Sequence, residues 1–481
     1  MSKKITIPTC MSPFKVTING EEYTYPSGVE VEVPDEVAHI IECHENALHK
    51  PIEEANSGGA SSGGGSPEGG GTSSGGKPNV KEKDVNFYDY DGTLLHSYTV
   101  EEAQDLSELP ELPTQEGLIC QGWNWTLEDI KAHNRAVDVG ATYITDDGKT
   151  RLYIKIEDVL LSDMSLYFSQ TVANGVTIDW GDGSDTQTLD RTGNVNTTHT
   201  YANIGEYVIT LDPADGCKVE LGINNSNSQS MFGKLSEGYI HKLRRVEIGK
   251  LVTKLNTYTF FNSYELTSVV IPKNVTSVWF RTFYCCRSLT SIILPEGSGL
   301  TNGEVFHECR KLKKVVIPKS VTSFGQQEFA NCISLTSIIL PDSVKYMGNT
   351  MFQNCYLLRN IVIPIGVTEI NASLAQAKSI LSVVLSQSVK TIGAAGFSTC
   401  HSLPKIVIPK TVIEIKSEAF RDCLSLVSID FSQHESVPTL GSTNAFYNTG
   451  SLREIRVPMA LVDQWKAATN WSTYADYIVG V

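Results

Sequence analysis

Four groups of side chains have the types and spacing for chemistry. Asp89-Tyr-Asp-Gly-Thr-Leu94 sets two carboxylates two residues apart beside a glycine. Two carboxylates so placed can serve as a nucleophile and as an acid or base, given a catalytic domain that supplies the remaining groups. Only about 60 acidic, proline-broken residues follow before the next strand-rich region, and Asp-Gly is also an ordinary hairpin turn. Asp179, Asp182 and Asp185 around Trp180 can hold Ca²⁺ through carboxylate oxygens. A turn that needs Gly and Asp only for its conformation uses the same residues, and the sequence leaves that choice open. Cys286, Cys309, Cys332, Cys355, Cys400 and Cys423 keep step with an apolar repeat. Stacked cysteines can come within disulfide range, but Cys is among the most buried residue types, so packed free thiols are expected. No compact Cys/His spacing suits a metal. Trp123 and Trp125 can stack on a sugar ring or build the core of a small module. The expectation is a non-enzyme with no catalytic residues, no metal and no cofactor.

The elements that hold these groups read as follows. Residues 1–54 form a small α+β unit. Phe14 to Gly20 alternates and ends in Asn-Gly, Glu30 to Val33 alternates again, and a helix-like stretch runs from Val37 to Leu48. Residues 55–78 are a flexible Gly/Ser linker spanning roughly 25 Å. Residues 79–149 are acidic and aromatic, with Thr126 capping a helix expected to reach about Val137. Residues 150–216 carry several short strands with Gly/Asp turns, which suggests a β-sandwich.

Residues 217–458 repeat. A Leu or Ile recurs at 243, 266, 289, 312, 335, 358, 380, 403, 426 and 452. Pro or Ser usually follows six residues later, and Phe precedes by six except at Leu374. Ten copies of about 23 residues cannot each bury their own apolar face, but stacked copies share one core. At about 4.8 Å per strand the solenoid is on the order of 45 Å long. Residues 459–481 close it, with Leu461, Trp465 and Ala468 on one helical face. The fold class is thus multidomain and mainly β, running from the α+β unit and linker through the sandwich to the C-terminal solenoid.

Two features of the solenoid stand out as candidate ligand-binding groups. The fourth residue after each Leu is expected to face outward, giving a stripe of Val270, Ile293, Val316, Ile339, Val362, Val384 and Val407. Arg310, Lys311, Lys313 and Lys314 form a basic cluster beside it, with Arg287 one repeat away, suited to an anionic glycan or cell-wall polymer.

Three resemblances follow from these residues. The Leu-x-x-Ile-x-Ile-Pro frame and the element Ala419-Phe-Arg-Asp-Cys-Leu-Ser-Leu426 resemble the BspA-like (Treponema-type) leucine-rich repeats, which implies a ribbon for adhesion or recognition. Trp180-Gly-Asp-Gly183, His199-Thr-Tyr201 and Gly205-Glu-Tyr207 resemble a polycystic-kidney-disease (PKD) type domain, which implies an immunoglobulin-like sandwich. Residues 5–50 and 84–131 resemble the anchor unit, and the module accompanying it, of head-fibre or decoration proteins in phages and prophages of gut Firmicutes.

Net charge is −15, with 39 basic and 54 acidic residues, which argues against a nucleic-acid partner. It is uneven: 26 of the basic and only 18 of the acidic residues follow position 215. No apolar run reaches the ~18 residues that a membrane span needs, and Met1 to Cys10 lacks the apolar core of a secretory signal. The sequence reading is a fibre on a virion surface, made in the host cytoplasm and released by lysis. Residues 1–54 would hold a capsid or other virion protein. The solenoid would meet a bacterial cell-surface or mucin glycan or protein, and assembly as a homo-oligomer is expected. The alternative is a bacterial cell-surface adhesin of the BspA-like family.

Overall fold

A computed structural model describes residues 83–158, 163–223, 229–234, 243–300 and 303–481, together with the backbone of four strands before residue 35. The chain divides into two units, Met1–Gly75 and Gly76–Val481. In the first, β1 (Ser2–Thr6) pairs antiparallel with β4 (Glu30–Pro34). There β2 (Phe14–Ile18) and β3 (Glu21–Tyr25) also pair antiparallel, with Ile18 beside Glu21, and the expected Asn19-Gly20 turn lies outside the described residues. The helix expected over 37–48 and the linker at 55–78 lie outside the described residues.

The second unit begins with a four-stranded sheet. Its strands are β5 (Val85–Tyr88), β6 (Leu94–Tyr98), β7 (Leu118–Trp123) and β8 (Val137–Thr145), in the order β6-β5-β8-β7. Phe87, Trp123, Trp125, Ile130 and Tyr143 form its core. Trp123 meets Phe87 edge-on at 5.0 Å and donates to Pro110 O. The two tryptophans are therefore interior groups. Helix α1 (Val100–Gln104) starts in a capping box between Thr99 and Glu102. Helix α2 (Leu127–His133) starts at Thr126 as expected but stops four residues early. Asn134 turns left-handed at φ 49°, and Val137 already belongs to a strand.

The sandwich strands are β9 (Thr150–Ile156), β10 (Asp163–Gln170), β11 (Val176–Asp179), β12 (Gly193–Thr200), β13 (Gly205–Pro213) and β14 (Val219–Leu221). Leu152, Ile154, Ile156, Leu166 and Phe168 alternate inward, as period two demands. A short hairpin, β15 (Gln229–Ser230) and β16 (Gly233–Lys234), follows.

The two sheets of the sandwich do not end at its boundary. Strand β17 (Leu243–Glu247), which opens the repeats, pairs antiparallel with β9 and parallel with β19 (Ser268–Val270). On the other side β14 pairs parallel with β18 (Val252–Leu255), which continues to β20 (Ser277–Val278) and β22 (Gly299–Leu300). One continuous core runs from Leu152 to Ile478. The sandwich therefore caps the solenoid and shares its core.

Along the solenoid the first face follows in separate parallel ladders: β21 (Ser291–Ile293) with β23 (Lys314–Val316), β24 (Asn360–Val362) with β26 (Ser382–Val384), then β28 (Lys405–Val407), β30 (Ser428–Asp430) and β32 (Glu454–Val457). The second face follows in one ladder of β25 (Glu369–Ile370), β27 (Thr391–Ile392), β29 (Glu414–Ile415) and β31 (Thr439–Leu440). Between the sheets Phe260, Phe283, Phe306, Phe329 and Phe352 stack in sequence at 5.4–5.8 Å. Leu374 interrupts that column, which resumes at Phe397, Phe420 and Phe446. The end is closed by α3 (Val462–Ala467), with Trp465 and Trp471 packed on Phe431. A last strand, β33 (Ile478–Gly480), adds to β32 and was not anticipated from the sequence.

The repeat cysteines are free thiols inside this core. Each donates to a carbonyl of the preceding repeat, as Cys309 does to Phe283 O and Cys355 to Phe329 O, at 3.1 and 3.0 Å. Burial pushes the Cys355 thiol up to about 12, so it stays protonated and can keep donating.

Candidate binding face

The Asp89–Leu94 motif builds a turn. Asp89 N donates to Thr93 O and Gly92 N to Asp89 O, which closes the β5–β6 hairpin. The Asp89 carboxylate accepts from Tyr143 OH at 2.7 Å, Gln115 Nε2 at 2.6 Å and Tyr90 N at 2.8 Å. Both its oxygens are thus occupied by fixed donors. Gly92 has φ +82°, and a Cβ there would meet Ser291 Cβ at 2.8 Å, so the turn presses against the solenoid.

The Asp179–Asp185 turn is built in the same way. Asp179 accepts from Gly181 N, and Asp182 Oδ1 accepts from Ser184 N and Oγ. Asp182 Oδ2 lies 2.7 Å from His199 Nε2, and the His199 ring stacks on Trp180 at 4.8 Å. Burial works to raise the Asp182 carboxyl, but the Ser184 and His199 hydrogen bonds outweigh it and hold the group at about 2. Among the described residues no group of three or more His, Cys, Asp or Glu is placed to hold a metal.

The outward stripe divides in two. Val270, Ile293 and Val316 are 1%, 5% and 0% exposed, whereas Val362, Val384 and Val407 are 48%, 54% and 55% exposed. Ile339 lies between them and is half-buried. The first three do face away from the solenoid core, but the acidic aromatic module sits on them. Val270 joins the module core, and Tyr88 and Leu94 pack on Ile293 and Val316. The expectation of one exposed stripe of seven is corrected accordingly, because the first half is already a protein interface.

Polar contacts fix the register of that interface. Asn124 Nδ2 donates to Leu294 O at 3.0 Å, and Ser291 Oγ donates to Tyr90 O at 3.2 Å. Lys273 reaches Gln121 O at 2.7 Å, and Arg135 pairs with Asp342 at 2.6 Å. Lys319 pairs with Asp129. Gly140, in the middle of β8, lies directly on Ile293, where a Cβ would come within 2.4 Å of Cγ2.

The basic cluster is divided too. Lys314 is buried under the module, 3.0 Å from Asp138 Oδ2, with its ammonium 4.3 Å from the centre of the Tyr88 ring. It fastens the module and is not available to an outside ligand. Arg287 and Arg310 both face Glu308, at 3.6 and 2.8 Å, and Arg287 also lies over Tyr264. Lys311 and Lys313 are exposed. The five cations thus form no single patch.

Asp138, Gly140 and Asn124 were missed in the sequence. One signal was present: a glycine inside an apolar strand marks a close backbone approach.

The open half of the face is a groove of about 490 Å³, lined among others by Leu381, Ser382, Val384, Lys405, Val407, Asp430 and Arg456. Lys405 is exposed and forms no ion pair among the described residues. Asp430 and Arg456 take over the stripe position where the valines end. An apolar row flanked by a cation, with a charged border, suits contact with a macromolecule.

Residues 253–378 and 372–464, which lie within the solenoid and its cap, match the family described as BspA type leucine rich repeat region (6 copies). No curated protein matches the chain. Among solved structures, a leucine rich cell surface protein of Faecalibacterium prausnitzii A2-165 is similar at 21% identity, covering 51% of this chain and 79% of that one, with a TM-score of 0.28. The T. pallidum leucine rich repeat protein is 20% identical over 43% of this chain and 83% of its own, with a TM-score of 0.29. The pneumococcal vaccine antigen PcpA is 16% identical over 51% of this chain and 74% of its own, with a TM-score of 0.30. Among the described residues no helix is long and apolar enough to cross a membrane.

Proposed function

We propose that the chain is a non-enzymatic recognition protein of the adhesin type, whose solenoid presents the open half of its first sheet to a protein or glycan on a cell surface. The observation that carries this reading is the exposed row Val362, Val384 and Val407, the last two of which line a groove on the outer face of the solenoid. Rigid placement of exposed apolar groups is costly in water and is what an interaction surface requires. The match of the repeats to the BspA type supports the same reading. The acidic groups that suggested chemistry are hydrogen-bonded within turns, which favours a conformational role for them.

The test is binding of the purified full chain to immobilised mucin, to epithelial cells and to bacterial cells. Val384→Arg with Val407→Arg should lower binding at least tenfold. Both side chains are exposed, so the variant should keep the unfolding midpoint of the parent. Binding that is unchanged in all three assays would remove the face from the function.

A virion-borne fibre is the second reading. The resemblance of residues 5–50 and 84–131 to phage head-fibre units supports it, and copurification of the chain with particles would test it.

A further inference from the structure

The open half of the face repeats the side-chain pattern of the covered half. Four repeats beyond Ser291, Ile293, Lys314 and Val316 stand Ser382, Val384, Lys405 and Val407. Val270 likewise corresponds to Val362. In the covered copy Ser291 lies beside Lys314 and Ile293 beside Val316, and in the open copy Val362 lies beside Val384. In the covered copy the lysine meets a carboxylate, the central residue receives a glycine, and the serine donates to a backbone carbonyl. In the open copy the lysine and the central valine are exposed.

We propose that Val362, Val384, Val407 and Lys405 form a second docking seat of the same build. Its occupant is a β-sheet face of a partner protein, carrying a carboxylate to meet Lys405 and a glycine over Val384. This rests on the reading that the open face binds, and it specifies the class of partner. Two observations favour an acidic β-sheet over other occupants. The seat is continuous with an interface that already holds one. That occupant is itself strongly acidic, with 14 Asp/Glu against three Lys/Arg over residues 83–147, on a solenoid of the opposite sign. Asp430 and Arg456 end the apolar row, so the seat is three strands, about 15 Å, wide.

The experiment uses the chain's own module as the probe. Ile293→Arg with Lys314→Glu in the full chain places charges against Gly140 and Asp138 and unseats the module, while both substituted side chains point away from the solenoid core. Faster hydrogen exchange across β8 reports the release, and Val316→Arg is added if β8 remains protected. The freed module should then dock in trans on the open seat, giving association with a Kd below about 0.1 mM by sedimentation. Adding Val384→Arg and Lys405→Glu should weaken this association at least tenfold. Three results overturn the proposal: a released chain that stays monomeric, association indifferent to Val384→Arg and Lys405→Glu, or unmodified chains that already pair through this seat. If trans docking fails while Val384→Arg with Val407→Arg still abolishes cell binding, the adhesin reading stands and only the proposed partner class falls.

Discussion

Lys314 Nζ lies 3.0 Å from Asp138 Oδ2, in a pair 176 residues apart in sequence and buried on both sides. It joins the acidic front of the chain to its basic back, and Asn86 Nδ2 adds a further bond to the same carboxylate. Taking two charges from water is costly, and the partnership returns that cost only while both members are present.

Lys314→Ala should therefore destabilise the second unit by about 3–5 kcal/mol, because Asp138 stays buried without its cation. Replacing both, as Lys314→Met with Asp138→Leu, should recover most of the loss. Urea unfolding of the three variants checks this. A Lys314→Ala midpoint equal to the parent's would show the pair to be dispensable.

Gly140→Ala tests the seat from the module side. The added Cβ would stand 2.4 Å from Ile293 Cγ2 and 2.8 Å from Cδ1. Overpacking of this kind costs about 1–3 kcal/mol. Ile293→Ala removes the obstructing atoms, so the double variant should be more stable than the sum of the single changes predicts. Additive values would place the two residues out of contact.

Glu328 provides a pH dependence. It is fully buried beside the phenylalanine column, and neither carboxylate oxygen makes a hydrogen bond of normal geometry. Burial raises its pKa from 4.5 to about 8, and the nearby Gly325 and Val305 amides offset only part of that. The folded chain thus holds a proton that the unfolded chain releases. Stability is greatest below pH 4.5 for this group and is lost as pH rises towards about 8. The slope is about 1.4 kcal/mol per pH unit. Glu328→Gln should abolish that slope and stabilise the chain at pH 8, with no gain at acid pH. Denaturant midpoints measured across this range decide it.

Thr350→Gly concerns the backbone. Each turn of the solenoid holds non-glycine residues at positive φ, among them Glu308, Asn331 and Thr350, the last at 50°. A β-branched residue is strained there. The Thr350 amide donates to Ala372 O, and glycine preserves that bond. A net gain of about 1 kcal/mol is expected after the greater freedom of the unfolded glycine is subtracted. A lower thermal midpoint for Thr350→Gly would count against the strain.

The solenoid was legible because Leu, Phe, Cys and Pro each mark one position of a period that packing must respect, and even the exception at Leu374 falls where the phenylalanine column breaks. The direction of the valine stripe followed from strand alternation. Its division did not. Val316 and Val407 have near-identical neighbours in sequence, Lys-Val-Val and Lys-Ile-Val, yet one is buried and the other open. What separates them is a module over 170 residues earlier in the chain, and a one-dimensional pattern does not record which face another element will cover. The left-handed turn residues escaped for a related reason. Glu, Thr and Arg do not advertise positive φ, and the hydrogen bonds between successive turns impose it.

The pairing of β5 with β8 sets how the molecule meets tension. The two strands run parallel, from Val85 beside Val137 to Tyr88 beside Gly140. A pull on the chain before β5 acts at the N-terminal end of that strand, while β8 is held through its C-terminal end at Thr145 and by its seat on the solenoid. The two forces are opposed along the strand axis, so the hydrogen bonds between the strands are strained together in shear and do not open one after another. Traction arriving from the N-terminal side is thus passed into the solenoid that carries the open valine row, and a molecule held at one end and attached by its face would resist being drawn apart at the joint between them.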